Sequence, residues 1–491
     1  MGALRGAEPR LAWARLALAL PLVAVNVALL LVSDLAHHLV LVLALLAPAF
    51  LWLGWTVRLL PSSPGSAQRV THAILAGALL LRIPLLPLPL TLSDDALRYL
   101  WDGKVAAAGF NPYALSPDAE ELTPLRDEAW QHFPHRQLPT VYPPLSIAAF
   151  SIAARLPNPI LAWKALVTAA DLLACGLLLA LARRLGLPPE RTLWYAWNPL
   201  VALEVAGMGH VDVLGVAAAL AAVLWLTGPA RDRSWPAAAA WSAAGALAKL
   251  APVAAMPMWG RQSGRPARFL GAALALLAAA GVPVVAATGG VPTGFSAYAL
   301  TWEFNGPLFE PLWRLLRAAG AAPRLAHLLD QAKEATGWYT AWNPVYPYLY
   351  PQLLAKLVLG AGMVAAMVIS LRWREAAAGT GWLFGALLLL SATVYPWYLL
   401  WVLPWAALYR HTAWLALSGL ILLSYLPRST GLPLVPWVYL AIWVPFGLLL
   451  LAGWRRSGHG GWLGGGQPRQ VSGAWGQGEP EASGRAAIAG R

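Results

Sequence analysis

Apolar residues run in long unbroken blocks along this chain instead of alternating with polar ones. Leu16 to Ser33, Leu39 to Val57, Phe269 to Thr301, Ala376 to Tyr409 and Ser429 to Trp454 contain no Lys, Arg, Asp or Glu. A bilayer core of about 30 Å is crossed by roughly 20 apolar helical residues, so each block can span it and two could nearly do so twice. The two-residue alternation of a membrane barrel is missing. Helices are then the only spanning element, because lipid offers backbone polar groups no partner. The pattern predicts an all-α polytopic membrane protein with about 12–14 transmembrane helices.

The polar positions suggest how those helices run. Arginines sit in short loops between apolar blocks: Arg58 and Arg69; Arg183, Arg184 and Arg191; Arg231 and Arg233; Arg261, Arg265 and Arg268; Arg372 and Arg374; Arg410; Arg455 and Arg456. The positive-inside rule makes these loops cytoplasmic. Helices near 11–32, 37–58 and 70–90 then run out, in and out, and a loop over 91–140 lies outside. Segment 142–156 is apolar but cannot cross fully without misplacing the arginines on either side, and 161–182 returns inward. Short pairs follow at 192–207 with 211–227 and at 236–248 with 250–259, before 268–288 exits to a second outer loop at 289–350. Helices near 351–371, 380–395, 398–409, 412–427 and 435–454 leave the C-terminus in the cytoplasm. This divides the chain into extra N-terminal helices (1–69), a transmembrane module (70–456) and a Gly-rich tail (457–491) too poor in apolar residues to fold. The N-terminus has no small-residue cleavage site and reads as a retained helix.

Composition agrees: 59% of residues are hydrophobic and 12% charged, against roughly 25% charged in a soluble domain. The net charge of +13 does not indicate nucleic acid, because the basic residues are dispersed as topology signals. The single cysteine, Cys175, permits no intrachain disulfide.

Acids are distributed differently. The loop 91–140 holds eight of the chain's 22 acids (Asp94, Asp95, Asp102, Asp118, Glu120, Glu121, Asp127 and Glu128) and four bases. Acids contribute little to orientation, so the concentration has another cause, whether solvation or chemistry. Asp94 and Asp95 stand where an apolar segment meets water, and charge at that boundary marks a candidate site. Ser93 is expected to cap a helix that starts with both acids, runs to Ala108 and stops at Gly109. Two acids in a first turn also complement the helix dipole, and Asp94, Asp95, Arg98 and Asp102 could form a plain ion-pair ladder. The same face, with Tyr99, could instead present a carboxylate base, a cation and sugar-binding groups.

Other polar positions interrupt apolar surroundings. Pro-flanked aromatics recur at Tyr142-Pro143-Pro144, Asn343-Pro344-Val345-Tyr346-Pro347 and Tyr395-Pro396-Trp397-Tyr398. They mark helix ends and serve either as interfacial anchors or as a platform for sugar rings or a polyprenyl chain. His210 and Asp212 lie at a hairpin turn after Glu204, placed for capping, for a polar contact to substrate or, less simply, for a metal. Lys249 divides two short apolar segments and reads as a snorkelling residue or a phosphate contact. Asn305 opens the second loop and could bind a hydroxyl. Lys164 and Asp171 are ionisable residues inside one apolar helix, the one hint of a transporter or lipid flippase. A polysaccharide polymerase is a third reading. No phosphate-binding loop, HExxH or GxSxG word is present, and no cytoplasmic domain exists for a nucleotide sugar. A sugar used outside the membrane would therefore arrive on a lipid.

These residues together resemble a known group. Asp94-Asp95-x-x-Arg98-Tyr99-x-Trp101-Asp102-Gly103, Gly109-Phe-Asn111-Pro112-Tyr113, Tyr142-Pro143-Pro144, Trp197-Asn198-Pro199, Gly209-His210-Val-Asp212 and Pro396-Trp397-Tyr398 look like the GT-C glycosyltransferases. The nearest likeness is to bacterial polyprenyl-phosphate-mannose-dependent mannosyltransferases and their family 87 relatives, over about 70 to 460. The resemblance implies a GT-C-like bundle in the cell membrane with an extracytoplasmic active site. It implies inverting transfer of a hexose, mannose first, from a polyprenyl-phosphate donor to a glycan or glycolipid acceptor. The catalytic base maps to Asp94 or Asp95, and Arg98, Tyr99, Asp102, Asn111, Tyr113, Tyr142, His210, Asp212, Lys249, Asn305, Tyr395 and Trp397 become candidate substrate contacts. No cofactor is required, although Asp94 and Asp95 could hold a divalent cation such as Mg or Mn. One departure stands out: similar sequences often carry His before Pro-Trp-Tyr, where this chain has Tyr395. The donor phosphate would then fall to Lys249, His210 or Arg98.

Overall fold

The computed structural model describes residues 15–59, 67–228 and 231–456. The expected glycine-rich tail and the first 14 residues lie outside them. Among the described residues the secondary structure is helical, with one isolated backbone bridge where Phe304 and Asn305 meet Thr393. Five helices are long and apolar enough to cross a membrane: Leu39–Leu59, Pro159–Arg184, Pro266–Thr288, Pro351–Ser370 and Leu434–Arg455. Four shorter apolar helices accompany them: Arg15–Leu31, Pro144–Ala154, Asp212–Leu226 and Ala376–Leu390. The protein is an all-α polytopic membrane protein.

Burial separates the centre from the rim. Half of the apolar window of Pro159–Arg184 is buried inside the protein, against 11% for Pro266–Thr288 and 22% for Pro351–Ser370. Asp212–Leu226 is buried along almost its whole length against Pro159–Arg184 and Arg231–Ala248. Its alanines let neighbouring helices approach closely, and Gly215 makes room for the Trp401 ring, which a Cβ would meet at 2.4 Å. Helix Pro144–Ala154 has 11 residues and is roughly 16 Å long, too short to cross a bilayer core.

Polar residues inside this core have separate duties. Lys164 Nζ donates to the carbonyls of Leu85 (3.0 Å) and Leu88 (2.8 Å). Asp171 instead pairs with Arg82, whose Nε lies 2.6 Å away, and accepts the Tyr195 hydroxyl at 2.8 Å. Lys164 and Asp171 thus point to different neighbours and do not form a pair.

Several expected helices are broken. Segment 192–207 divides into Leu193–Ala196, Pro199–Ala202 and a wide π-type turn at Leu203–Gly207. Pro199 offers no backbone N–H, and Asn198 Oδ1 caps the new start by accepting from Leu200 N at 3.0 Å. Segment 398–409 becomes a 3-10 turn, Pro396–Trp401, followed by Leu403–Tyr409, and 412–427 is likewise interrupted by a 3-10 turn at Ile421–Tyr425. The second loop is not irregular: Thr293–Thr301, Phe309–Ala318 and Ala321–Thr336 are helices. Irregular backbone at membrane depth is tolerated where it lines a cavity, and the break at 396 borders one.

Candidate active site

The first-loop helix spans Asp95–Ala107, with Asp94 as its N-cap. The expected start is thus shifted by one residue: Ser93 precedes the cap, and its Oγ accepts from Asp95 N at 3.3 Å. The helix packs tightly on Pro144–Ala154. A Cβ at Gly103 would lie 2.4 Å from the Phe150 carbonyl, so only glycine allows this approach. Tyr99 stacks on Phe150 at 4.8 Å with the rings nearly parallel (3°), which fixes the rotation of the helix. Asp94 and Asp95 consequently face a cavity of about 720 Å³.

Three kinds of wall enclose this cavity. Asp94, Asp95 and Asp212 supply carboxylates, and Arg98, Lys249 and Arg428 supply cations. Val253, Met363, Met367, Phe384, Leu387 and Leu388 supply an apolar trough between helices Pro351–Ser370 and Ala376–Leu390. Aromatic rings form the remainder. Phe304 stacks on Tyr395 (4.5 Å, 15°), Tyr395 on Trp397 (4.5 Å, 2°) and Trp397 on His210 (3.8 Å, 12°), making a continuous column. The Tyr298 and Tyr398 hydroxyls are hydrogen-bonded to each other at the same cavity.

The acids differ in their surroundings. Burial and the adjacent charge of Asp95 push the Asp94 carboxyl above the usual carboxylate range, while Arg428 and His135 oppose the shift. Asp95 Oδ2 accepts the Tyr99 hydroxyl at 3.2 Å and lies 3.8 Å from His210 Nδ1. Asp212 Oδ1 accepts from Trp401 Nε1 at 2.8 Å, and its Oδ2 lies 3.5 Å from Lys249 Nζ. Lys249 also stands 5.3 Å over the Tyr142 ring, where the apolar trough meets the polar end.

Of the residues expected to touch substrate, Asp94, Asp95, Arg98, Tyr142, Asp212, Lys249, Tyr395 and Trp397 line the cavity. Six others lie behind it. Tyr99 and His210 are fully buried beneath Asp95. Asp102 accepts from Arg98 Nε at 2.8 Å and so aims that cation, which also holds the Leu138 carbonyl at 2.8 Å. Asn111 Oδ1 accepts from Tyr113 N at 2.9 Å, a turn within the loop. Tyr113 hands its hydroxyl to the Tyr142 carbonyl at 2.9 Å. Asn305 is buried, with Oδ1 accepting from Trp443 Nε1 at 2.9 Å, and ties the second loop to the last helix. Packing and these contacts hold the six side chains behind the lining, so they shape the walls without forming the inner surface.

The geometry joins carboxylates, cations and an apolar trough in one chamber. Residues 10–263 match the family described as alpha-(1->6)-mannopyranosyltransferase, N-terminal domain. The chain belongs to this mannosyltransferase family. No curated protein and no solved structure matches it. The matched part of the mannosyltransferase supplies Asp94, Asp95, Asp212 and Lys249, whereas Tyr395, Trp397 and Arg428 lie beyond it.

Sequence reasoning missed Arg428. Its Nη1 donates to the Leu92 carbonyl, and its guanidinium lies 5.8 Å over the Tyr425 ring. The signal was available: it is an arginine in a short loop that the helix path places outside, unlike the short-loop arginines that mark the cytoplasmic side. Glu204 was noted only as part of a turn, yet it is fully buried beside His210 and Tyr425.

Among the described residues, no group of three His, Cys, Asp or Glu is placed to hold a metal ion. The Asp94–Asp95 pair could provide two oxygen ligands to Mg, whose remaining positions are commonly filled by water and substrate phosphate. Such an ion would neutralise phosphate charge.

Proposed function

We propose that this mannosyltransferase moves mannose from a polyprenyl-phosphate donor to a hydroxyl of a glycan or glycolipid on the outer face of the membrane, with inversion at the anomeric carbon. The observation that carries this reading is the mixed lining of one cavity: carboxylates and cations share it with a set of apolar side chains. An isoprenoid fits the trough, and its phosphate then falls among Lys249, Arg428 and Arg98. A soluble nucleotide sugar would leave the trough without an occupant.

In this reading the acceptor hydroxyl sits against Asp94 and Asp95. Its oxygen attacks the anomeric carbon, its proton passes to a carboxylate, and the carbon–oxygen bond to phosphate breaks with its electron pair on the phosphate. A sugar hydroxyl is a very weak acid, so the proton moves only as the new bond forms. The cations stabilise the charge growing on the leaving phosphate. Attack opposite the leaving group yields an alpha linkage from a beta-linked donor. The family description therefore points to a beta-linked mannosyl lipid and, through its 1->6 linkage, to a primary hydroxyl as acceptor.

The test is transfer from a labelled mannosyl lipid in membranes carrying Asp94→Asn or Asp95→Asn. At least one variant should lose about a hundredfold or more in rate, the usual contribution of a general base. Full activity in both would remove the proposed base.

A further inference from the structure

Beneath the carboxylate pair lies a second buried acid that the reaction as drawn does not use. Glu204 is fully buried on the π-type turn Leu203–Gly207, and its oxygens lie 3.1 and 3.3 Å from the Tyr425 hydroxyl. His210 stands between Glu204 and the cavity. Its Nε2 is 3.1 Å from Glu204 Oε2, and its Nδ1 is 3.8 Å from Asp95 Oδ2. The turn that places the ring depends on Gly209, which has φ +78° and whose Cβ would meet Trp163 at 3.2 Å. Trp397 presses flat on the imidazole at 3.8 Å and separates it from the cavity.

We propose that Glu204 and His210 are positioning residues that make Asp95, rather than Asp94, the catalytic base. This rests on the reading that one of the two acids takes the acceptor's proton. An ionised carboxylate only accepts hydrogen bonds, so a ring held between two carboxylates must offer an N–H to each. Glu204 anchors one side of the imidazole and His210 presents the other to Asp95. The Tyr99 hydroxyl donates to the same oxygen, Oδ2. Oδ1 is left for the acceptor hydroxyl, and the proton lands there as the sugar–phosphate bond releases its electron pair to phosphate. Asp94 is subject instead to the charges of Arg428, which holds the nearby Leu92 carbonyl, and His135.

Buried polar groups that serve only the core are mostly bonded in line. Trp163 Nε1 beside His210 is, donating to the Gly209 carbonyl at 2.7 Å. Neither ring nitrogen of His210 has an in-line hydrogen-bond partner. Catalytic hydrogen bonds are often long or misaligned before substrate arrives and tighten when it binds.

The experiment uses the full chain in proteoliposomes with a mannosyl-phosphate polyprenol. For Glu204→Gln, Glu204→Asp and Asp95→Asn, kcat, donor KM and the thermal midpoint are measured. Glutamine keeps the volume and can still accept from Tyr425, so a packing role survives it. The account expects E204Q to lose about a hundredfold in kcat, with KM within about twofold and an unchanged midpoint, and E204D to recover part of the rate. Wild-type kcat in E204Q, or a loss confined to KM or to the midpoint, overturns the proposal. If E204Q fails to fold, His210→Gln carries the test: it cannot supply the same two donors in line, so kcat should fall at constant KM, and retained kcat overturns the role. An inactive D95N beside a normal E204Q removes the positioning pair but leaves the base. An active D95N overturns both the pair and the assignment of Asp95.

Discussion

Two buried charged clusters lie within this bundle, and they are finished to different degrees. In the first, both Asp171 oxygens are occupied, by Arg82 Nε at 2.6 Å and the Tyr195 hydroxyl at 2.8 Å, Arg82 Nη1 holds the Ala78 and Ala196 carbonyls at 2.8 Å, and only Nη2, 2.6 Å from Asp171 Oδ2, is without an in-line bond. In the second, His210 lies between Asp95 and Glu204 without an in-line bond to either. None of the residues of the first cluster lines the chamber, and the cluster joins three helical segments. The second touches the chamber through Asp95 and Trp397. The first cluster is tied by several in-line bonds across the helices and holds the fold together, whereas the ring of the second has none and lies beside the chamber, where its contacts can tighten when a ligand binds.

That contrast breaks most readily at Asp171. Asp171→Ala leaves the Arg82 charge buried without its partner and should lower stability by about 3–5 kcal/mol, read from thermal or denaturant unfolding in detergent. Asp95→Asn should do the opposite: little change in unfolding, but at least a hundredfold loss of transfer, equal to about 3 kcal/mol on the barrier. A large loss of stability in D95N would place both clusters in the same structural class. At the cations the expected effect is smaller and of another kind. Lys249→Met and Arg428→Gln should each raise donor KM about tenfold, about 1.4 kcal/mol, when rates are measured against lipid donor concentration.

The smallest effect concerns Asp94 and has a defined pH window. Its pKa is raised in the fold, chiefly by burial and then by Asp95. Between the ordinary and the raised value the folded state binds more protons than the unfolded state, so stability falls as pH rises through that window. Asp94→Asn should therefore stabilise the protein at neutral pH, and the gain should disappear as pH falls through the raised value towards 3.8. A constant gain across that range would mean that Asp94 is not strained by its charge.

Much of this was legible before any coordinates. Apolar blocks announce helices because lipid tolerates little else, and two adjacent acids at the end of such a block are costly enough to be noticed. Lys249 and the Tyr395–Trp397 segment were visible for the same reason, as exceptions to apolar surroundings. What stayed hidden were pairings across long separations. Arg82 meets Asp171, Glu204 meets Tyr425, and Arg428 meets the carbonyl of Leu92. Motif spacing does not distinguish residues that line the cavity from those that lie behind it. Asp102, Asn111 and Tyr113 belong to the same short words as Asp94 and Asp95, yet helix rotation and loop turns direct them into the protein. Likewise, the breaks at Pro199 and Pro396 could be located in sequence, but not the cavity that the second one borders.

The central claim is that the sugar arrives on a lipid lying in the apolar trough. Purified protein in sealed proteoliposomes should be offered labelled mannose either as mannosyl-phosphate polyprenol or as a nucleoside-diphosphate mannose, with an acceptor bearing a free primary hydroxyl. The account predicts transfer from the polyprenyl donor alone. Equal or faster transfer from the nucleotide sugar, with none from the lipid, would contradict it.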